Sequence, residues 1–365
     1  MARWRPALFS WQRSAWFSWL AVPLAWLAER HYAVMPRLPQ GPLPEALPAL
    51  SIIVPARDEA DNLQRLLPSL QALVYPGRYE LIVVDDDSGD GTAAVAAAHG
   101  ARVVAAPPLP PGWQGKAHAC HYGAQVAGGE WLLFTDADTV HAPSGPAWAV
   151  AYACQQQLDA LSLWLRQEPH GRLDALVLAV AFTGLWSMPA AAHHLFNGQF
   201  VLIQRRVYRE SGGFAAVRQE ALEDLALGRY LRRCGYRVAF MVGEQVARVT
   251  MYRSAPQLWH GLTRLGAESL RRSGWRSLLP FLFITALVSP LVTVMGVLTG
   301  NLRWWWSLWA WPAAAMAVFP WTSRLQNRRW ALLAPFGALG VQMASLWGLM
   351  ARVVGRGLVW KGRKV

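Results

Sequence analysis

Two carboxylates follow an apolar stretch near the middle of the chain. The segment WLLFTDADTV, residues 131–140, predicts a buried strand that ends in Asp136 and Asp138. Side chains at positions i and i+2 of a strand point the same way, so both carboxylates can face one small volume beyond the strand end. Mg²⁺ or Mn²⁺ typically binds one or two carboxylates together with substrate phosphates. The spacing therefore predicts a cation that carries a diphosphate, although a solvated turn with Asp138 capping a following helix fits the same pair.

Two further segments carry charges suited to an anionic or sugar-bearing ligand. ELIVVDDDSGDGT, residues 80–92, predicts a second strand ending in carboxylates, and its Asp-Gly-Thr can open a helix whose first turn exposes N–H groups. GWQGKAHAC, residues 112–120, places Lys116 after a glycine, so a cation can reach an anionic ligand over flexible backbone. An ordinary surface turn is the alternative interpretation of this Gly-Lys pair.

The elements that position these residues alternate between strands and helices. From residue 50 onward, short apolar strands (SIIVPA, ELIVVDD, RVVAA) are separated by helical patterns with short links. Such an order predicts an α/β domain with a mostly parallel sheet, whose active crevice lies beyond the carboxyl ends of the strands. The charged residues that fall at these ends are Arg57, Asp58, Asp85, Asp86, Asp136 and Asp138.

Six motifs, in order and spacing, give the chain a resemblance to a known family. They are SIIVPARDEADNL, ELIVVDDDSGDGT, GWQGKAHA, WLLFTDADTV, NGQFVLIQRRVYRESGGF and EDLALGRYLRRCGYRV. Over roughly residues 50–250 the chain resembles the family 2 glycosyltransferases of the GT-A fold, a Rossmann-like α/β fold. NGQFVLI, EDLALGRYL and the downstream VTMYRSAPQLW most resemble its membrane-attached subset, the carotenoid (chlorobactene-type) glucosyltransferases and hopene-associated glycosyltransferases.

The resemblance implies a nucleotide-diphosphate sugar donor, a divalent cation (Mg²⁺ or Mn²⁺) and inversion at the anomeric carbon. The base of the donor stays open among uracil, guanine and thymine; UDP-sugars are the first donors to consider, and glucose the first sugar. The donor residues carried over by motif are Pro55, Arg57 and Glu59 beside the base, Asp86 on the nucleoside, and Lys116, Asp136 and Gly198 on the rest of the donor. Asp136 and Asp138 would hold the ribose, the diphosphate and the metal, with Asp138 the better metal ligand.

The same resemblance assigns proton removal from the acceptor hydroxyl to the pair Glu223 and Asp224, and we expect Asp224 to be the base. ALEDLALGRYL predicts the start of a helix there, whose positive end favours a negative charge, while an apolar acceptor pocket would raise the carboxyl pKa. A purely structural role at the helix start is the alternative.

The segment HHLFNGQFVLIQRR, residues 193–206, offers His193, His194, Asn197 and Gln199 near a glycine, and we expect these four to line the sugar and acceptor side. His193 and His194 are expected to be polar lining and not a second metal site, because adjacent side chains diverge. Polymerising members of the family carry a Gln-x-x-Arg-Trp block, whereas this chain reads ARVTMYRSAPQLW. The difference predicts transfer of one or a few sugars and leaves Tyr252 and Arg253 without an assigned role.

Composition indicates membrane attachment. The chain has 365 residues, 54% of them hydrophobic, 21 tryptophans and a formal charge of +13, which fits aromatic rings at lipid headgroups and basic residues facing anionic lipid. The basic residues flank apolar runs and do not follow one polar helix face, which argues against a nucleic-acid partner. Three scattered cysteines predict neither a zinc site nor a disulfide framework, and a reducing, cytosol-facing domain is the default.

The predicted domain organisation has five parts. They are a membrane anchor (1–35), a proline-rich linker (36–49), the GT-A domain (50–253), an interfacial amphipathic helix (254–277) and a membrane region with a basic tail (278–365). Apolar stretches fall at 14–28, 278–300, 304–321 and 330–354, the third being short. If all four crossed, the basic tail would lie outside, so we expect one to be interfacial or re-entrant. The run 173–191 is predicted to be a buried or membrane-facing helix.

Together these patterns predict a multi-pass cytoplasmic-membrane protein whose catalytic domain faces the cytoplasm and moves a sugar to a lipid hydroxyl without processivity. The acceptor stays open among carotenoid, hopanoid, polyprenyl phosphate and diacylglycerol, and the sequence indicates no oligomeric state. Two rivals remain: a non-catalytic nucleotide-binding membrane subunit, and a membrane-bound nucleotidyltransferase that would release pyrophosphate.

Overall fold

The computed structural model divides the chain into two compact units. It describes residues 11–187, 196–220, 222–273, 278–325, 328–354, 359–360 and 363–364. The helical unit comprises Met1–Val34, Pro169–Ala192 and Tyr252–Leu358, and the α/β unit comprises Met35–Glu168, His193–Met251 and Val359–Val365.

Helices and strands follow one another along the chain in the order that the sequence predicts for the α/β part. In chain order they are α1 (Trp11–Phe17), α2 (Ala21–Val34), β1 (Leu50–Ala56), α3 (Ala60–Gln71), β2 (Tyr79–Asp85), α4 (Thr92–Ala98), β3 (Arg102–Ala105), α5 (Gly115–Val126), β4 (Trp131–Thr135), β5 (Thr139–His141), α6 (Gly145–Gln155), β6 (Ala160–Trp164), β7 (Arg166–Gln167), α7 (Arg172–Trp186), β8 (Phe200–Gln204), α8 (Arg205–Ser211), α9 (Glu223–Arg233), β9 (Val238–Val242), β10 (Ala247–Val249), α10 (Ala255–Ser273), α11 (Leu278–Leu298), α12 (Trp305–Arg324), α13 (Ala334–Val353), β11 (Val359–Trp360) and β12 (Arg363–Lys364).

A mostly parallel sheet forms the centre of the α/β unit, as predicted. Its strand order is β3-β2-β1-β4-β8-β6-β9, and β8 alone among these strands runs antiparallel to its neighbours. Because β8 is reversed, its first residue Phe200 pairs with Thr135, the last residue of β4. The loop that precedes β8 therefore lies at the same sheet edge as the carboxyl ends of β1, β2 and β4.

Apolar side chains cover both faces of this sheet, which explains why its strands are nearly continuous hydrophobic runs. Alternate residues of β1 enter different clusters: Ile52 and Val54 pack with α3, and Ile53 packs with α5 and α9. Along α3, Leu63, Leu66, Leu67 and Leu70 recur at helical spacing and are fully buried. The two layers hold the strand ends, and with them the charged residues, in fixed positions.

A second, three-stranded sheet has the order β5-β10-β7. β10 is antiparallel to β5, with Ala247 opposite His141, and parallel to β7. Its strand β5 follows the Asp136–Asp138 segment directly in the chain.

The helical unit contains the apolar helices. Two stretches, Pro280–Leu298 in α11 and Arg328–Ala351 ending in α13, are long and apolar enough to cross a membrane by length and composition. The run 173–191 forms the helix α7 up to Trp186, and most of its side chains are buried, as predicted. α7 nevertheless belongs to the helical unit, although its sequence falls inside the predicted catalytic domain.

The N-terminal segment is joined to α12 within this unit. Both guanidinium Nη atoms of Arg324 donate to the Glu29 carboxylate at 2.6 Å, and the guanidinium lies over the ring of Tyr32, 4.6 Å from its centroid. A bidentate pair packed on an aromatic ring is a strong form of ion pair. It links α2 to the end of α12.

Glu80 ties three segments of the α/β unit together and generates a pH-dependent prediction. Its Oε1 accepts hydrogen bonds from the Ser51 hydroxyl and the Gly128 N–H, both at 2.6 Å. Burial alone would raise its pKa, but these hydrogen bonds and the charge of Arg102 lower it below its ordinary value of 4.5. A lowered carboxyl pKa stabilises the fold above the unfolded pKa, and the stabilisation is lost as pH falls through the folded value.

We therefore expect Glu80→Gln to lower the free energy of unfolding by about 1 kcal/mol near pH 7, because a neutral amide accepts these bonds more weakly. The difference from the parent should shrink below about pH 4. Thermal unfolding of the full chain in detergent at several pH values measures this, with the exposed Glu45→Gln as the control. If the difference in stability between Glu80→Gln and the parent stays constant with pH, the lowered pKa of Glu80 is contradicted.

Candidate active site

The paired carboxylates lie on a turn and not on a strand. β4 ends at Thr135, and Thr139 donates its hydroxyl to the Asp136 carbonyl oxygen at 2.8 Å, closing the turn. The prediction that Asp136 and Asp138 lie together is upheld by their electrostatic interaction, but strand alternation is the wrong reason. The chain continues into β5 and not into a helix, so Asp138 does not cap one.

The surroundings of Asp138 disfavour the charged form of its carboxyl. Burial raises the pKa of its carboxyl well above the ordinary value, and the negative charges of Asp136 and Glu59 raise it further. Its Oδ1 is buried and has no hydrogen-bond partner among the described residues. A bound cation would offset the repulsion between Asp136 and Asp138 and would give Asp138 Oδ1 a partner. The two carboxylates therefore fit the predicted Mg²⁺ or Mn²⁺.

Protein ligands for such a cation are few. The described part of the chain contains no group of three or more His, Cys, Asp or Glu side chains placed to hold a metal. Asp136 and Asp138 would therefore supply two ligands at most, and oxygens of the donor and water would complete the shell, which is how Mg²⁺ is usually bound.

Lys116 lies in the first turn of α5 and not in the flexible loop that we predicted, because the helix already begins at Gly115. Its Nζ is 2.5 Å from Asp136 Oδ1 and 3.8 Å from Glu223 Oε1. Burial alone would lower its pKa, but the charges of Asp136, Glu223 and Asp224 raise it above the ordinary value. Lys116 is therefore a fixed positive charge that draws carboxylates from two segments together.

The predicted helix start is confirmed, with Glu223 and Asp224 in the first turn of α9. There the helix dipole favours negative charge. Asp224 Oδ2 accepts the Gly198 N–H at 2.6 Å, and its Oδ1 accepts the N–H of Leu225 at 2.8 Å. Both oxygens are therefore held in place.

Gly198 lies where only a glycine fits without displacement. A Cβ at this position would be 2.8 Å from Lys116 Nζ and 3.0 Å from Asp224 Oδ2. The missing side chain allows the loop before β8 to approach both charged groups.

One cavity joins most of these groups, but Asp138 is not among its lining residues. Six of the predicted residues line it: Pro55, Lys116, Asp136, Gly198, Glu223 and Asp224. Sequence reasoning missed five other lining residues, Cys120, Phe134, Thr135, Val201 and Phe214. Thr135 could have been found as the last residue of the strand that delivers Asp136; the apolar members carry no signal that separates them from core residues.

The other predicted donor residues lie on the turns after β1 and β2, outside the lining of this cavity. The Arg57 guanidinium donates to the carbonyl oxygen of Asp86 at 2.6 Å and is 3.7 Å from the carboxylate of Asp87. Asp86 itself is buried, and Glu59 accepts a hydrogen bond from Asn62 at 2.5 Å. Arg57 thus holds the two turns together.

Asp90 belongs to the Asp-Gly-Thr segment that is predicted to open a helix with exposed N–H groups. Its carboxylate accepts the N–H groups of Ala60 and Thr92, both at 3.0 Å, and the Thr92 hydroxyl. Burial alone would raise its pKa, but these hydrogen bonds lower it. Because Thr92 N–H is already bound by Asp90, the start of α4 is not wholly open to a ligand.

On the predicted sugar side, the Asn197 amide donates to Gln199 Oε1 at 3.0 Å, and Gln167 donates to the same oxygen at 3.1 Å. The loop before β8 is therefore held by a hydrogen bond within the loop and by one from Gln167 of β7. His193 and His194 lie outside the described residues.

A mostly parallel sheet with charged residues at its carboxyl edge is typical of nucleotide-binding α/β proteins. Residues 51–226 match the family model described as glycosyl transferase family 2. Residues 51–226 are thus similar to a family 2 glycosyltransferase domain, which confirms the resemblance seen in the motifs.

Curated relatives are carotenoid-modifying enzymes by name. The chain is 29% identical over 219 residues to a 4,4'-diaponeurosporenoate glycosyltransferase of Staphylococcus haemolyticus, covering 57% of this chain and 58% of the relative. The protein of the same name from Staphylococcus aureus strain MRSA252 is 28% identical over 238 residues, 62% of this chain and 60% of the relative. The chain thus matches about three fifths of their length.

Among solved structures, a mannosyltransferase from Pyrobaculum calidifontis in complex with GDP-Man and Mn²⁺ has a TM-score of 0.59 and 19% identity. The match covers 93% of this chain and 99% of that one. At this identity the likeness shows the fold alone, and it agrees with the predicted GT-A fold.

The close approach at Gly198 gives a test of the site. We expect Gly198→Ala to displace Lys116 or Asp224, whose side-chain ends can move cheaply, and so to reduce sugar transfer about 10-fold or more with little loss of stability. Transfer from labelled nucleotide sugars and the thermal midpoint measure the two effects. Gly89→Ala is the control, because a Cβ there meets nothing within 4 Å. Equal activity in the two variants would contradict the proposed contact.

Proposed function

We propose that the protein is a membrane-bound, inverting, non-processive glycosyltransferase that moves a sugar from a nucleotide-diphosphate sugar to a hydroxyl of a lipid acceptor. The observation that carries the proposal is the meeting of Lys116, Asp136 and Asp224 around one cavity at the carboxyl edge of the sheet. These groups come from three separate segments, so a helix-start role for Asp224 alone does not account for them.

Asp224 is the base in this proposal. It takes the proton from the acceptor hydroxyl as the oxygen attacks the anomeric carbon, and the bond from that carbon to the diphosphate breaks on the opposite face. A single displacement of this kind inverts the anomeric configuration. The N–H groups of Gly198 and Leu225 hold the carboxylate in position during the step. Glu223, buried beside Lys116, keeps the lysine in place.

Asp136 and Asp138 would hold the divalent cation, which stabilises the charge of the departing diphosphate. Lys116 would add positive charge on the same side. Pro55, Arg57, Glu59 and Asp86 would border the nucleoside, since they lie on or next to the strand ends beside this turn. UDP-sugars are the donors to test first.

The acceptor and location rest on the relatives and on the helical unit. The names of the relatives point to a carotenoid-type acceptor. A hopanoid or another isoprenoid lipid that carries a hydroxyl is the alternative acceptor. Among the described residues, all exposed large apolar side chains except Val74 and Tyr79 belong to the helical unit. Contact with lipid explains such exposure. We place the protein in the cytoplasmic membrane with several crossings, including the N-terminal anchor, and with the catalytic unit in the cytoplasm.

The role of Asp224 is tested by Asp224→Asn. We expect transfer to fall about 10³-fold or more, because the amide cannot accept the proton, while donor binding changes less than about threefold. Product formation with labelled UDP-glucose or GDP-mannose and a carotenoid or total lipid extract measures transfer. Calorimetry measures donor binding. The control is Asp61→Asn, an exposed carboxylate in the first turn of α3.

If Asp224→Asn and Asp61→Asn keep equal activity, the base assignment is wrong. Release of pyrophosphate in place of a nucleoside diphosphate would identify a nucleotidyltransferase. Donor binding with no transfer to any lipid would favour a non-catalytic subunit.

The cation site is tested by Asp138→Asn. Losing one of two carboxylate ligands should raise the Mn²⁺ concentration needed for half-maximal transfer about 10-fold or more. Full activity of the parent protein after treatment with a chelator would refute the metal requirement. Asp61→Asn again serves as the matched carboxylate control.

A further inference from the structure

Three buried polar side chains lie beneath the turn that carries Asp136 and Asp138. They are Thr135 at the end of β4, and Thr139 and His141 on β5. The Thr135 hydroxyl oxygen is 3.0 Å from the Thr139 hydroxyl oxygen and 3.0 Å from His141 Nε2, which is also 3.3 Å from the Thr139 hydroxyl oxygen. Side chains this close within the core form one hydrogen-bonded group.

Counting protons sets the direction of these bonds. Thr139 donates its single hydroxyl proton to the Asp136 carbonyl oxygen at 2.8 Å, and Thr135 donates its own to the Gln199 carbonyl oxygen at 2.9 Å. Each hydroxyl has one proton, so neither can donate to the imidazole as well. With both hydroxyl protons assigned in this way, the His141 tautomer that completes the group carries its hydrogen on Nε2 and donates it to the two hydroxyl oxygens.

The two carbonyl groups belong to different parts of the site. Asp136 lies on the proposed cation turn, and Gln199 lies in the loop before β8. The neighbour of Gln199, Gly198, donates its N–H to Asp224. The hydroxyl pair thus connects the turn that would hold the donor diphosphate with the loop that holds the proposed base.

We propose that His141 is a positioning residue: its Nε2–H orients the hydroxyls of Thr135 and Thr139, and through them it sets the cation turn and the base-holding loop at a fixed separation. The inference rests on the proposed function, since positioning matters only if transfer takes place at this site. His141 does not touch the substrate; it acts through the two threonines.

The surroundings of His141 suit a neutral ring with one fixed hydrogen. Burial lowers its pKa from 6.5 to about 3, so the ring stays neutral at ordinary pH. Its Nδ1 is buried and has no hydrogen-bond partner among the described residues, so a second ring proton would find no acceptor there. The backbone N–H of His141 donates to the hydroxyl of Ser69 on α3 at 3.1 Å, and this bond ties β5 to α3 at His141.

Two variants separate positioning from simple packing. His141→Leu removes the donor and keeps much of the volume, and His141→Gln places an amide N–H near the former Nε2. We expect His141→Leu to lower kcat about 10- to 100-fold with less than a threefold change in KM for the nucleotide sugar. His141→Gln should recover at least about a third of the parental kcat. The exposed His170→Leu is the control.

Thr135→Val removes one hydroxyl at nearly constant side-chain shape. Together with His141→Leu it completes a double-mutant cycle. If His141→Leu does not fold, Thr135→Val by itself tests the network. If the two residues act through one network, the double variant should lose little more kcat than the worse single variant. Thermal midpoints at neutral pH are measured for all variants. Additive losses of kcat would overturn the proposal.

Three other results also discriminate. Losses of activity that follow only the folded fraction would show a purely structural role and overturn the positioning inference. A His141→Gln protein as inactive as His141→Leu would do the same. A parent protein with no transfer activity overturns the proposed function, and the inference falls with it.

Discussion

The positive charge of Lys116, placed among carboxylates of separate segments, is the interaction on which the site depends. Asp136, Glu223 and Asp224 all act on this lysine, and Asp138 crowds Asp136 from the same turn. Two like charges about 4 Å apart repel by roughly 4 kcal/mol at the effective dielectric of a protein surface. One lysine faces four carboxyl groups, and the raised pKa of Asp138 reflects the cost of its negative charge there, which a divalent cation can balance.

The reversed strand β8 makes this crowding feasible. In a fully parallel sheet the segment before a strand lies at the amino edge, far from the carboxyl ends of its neighbours. Because β8 runs against β4, Phe200 pairs with Thr135, and the loop that carries Gly198 reaches the carboxyl edge. Gly198 then approaches Lys116 and Asp224 without a side chain in the way. The same reversal brings the Gln199 carbonyl within reach of Thr135 and joins the loop to the turn.

Much of the fold was accessible to sequence reasoning, because hydrophobic periodicity reports burial locally. The runs that became β1, β2, β3 and β4 and the start of α9 were predicted close to their observed positions. The same local reasoning failed where tertiary contacts set the backbone. It placed Asp136 and Asp138 on a strand, although the Thr139 hydroxyl folds them into a turn, and it gave Lys116 a flexible loop, although α5 already begins before it.

The sequence by itself determined which residue types stand at the strand ends and which family the chain resembles, since both follow from the order and spacing of short motifs. Only the tertiary structure decided which of those residues meet. It brings Asp136 and Asp224 together around Lys116, leaves Arg57 and Asp86 on neighbouring turns, and places His141 beneath the site. Contacts between segments tens of residues apart depend on strand order and direction, and these arise when the whole chain packs both faces of the sheet.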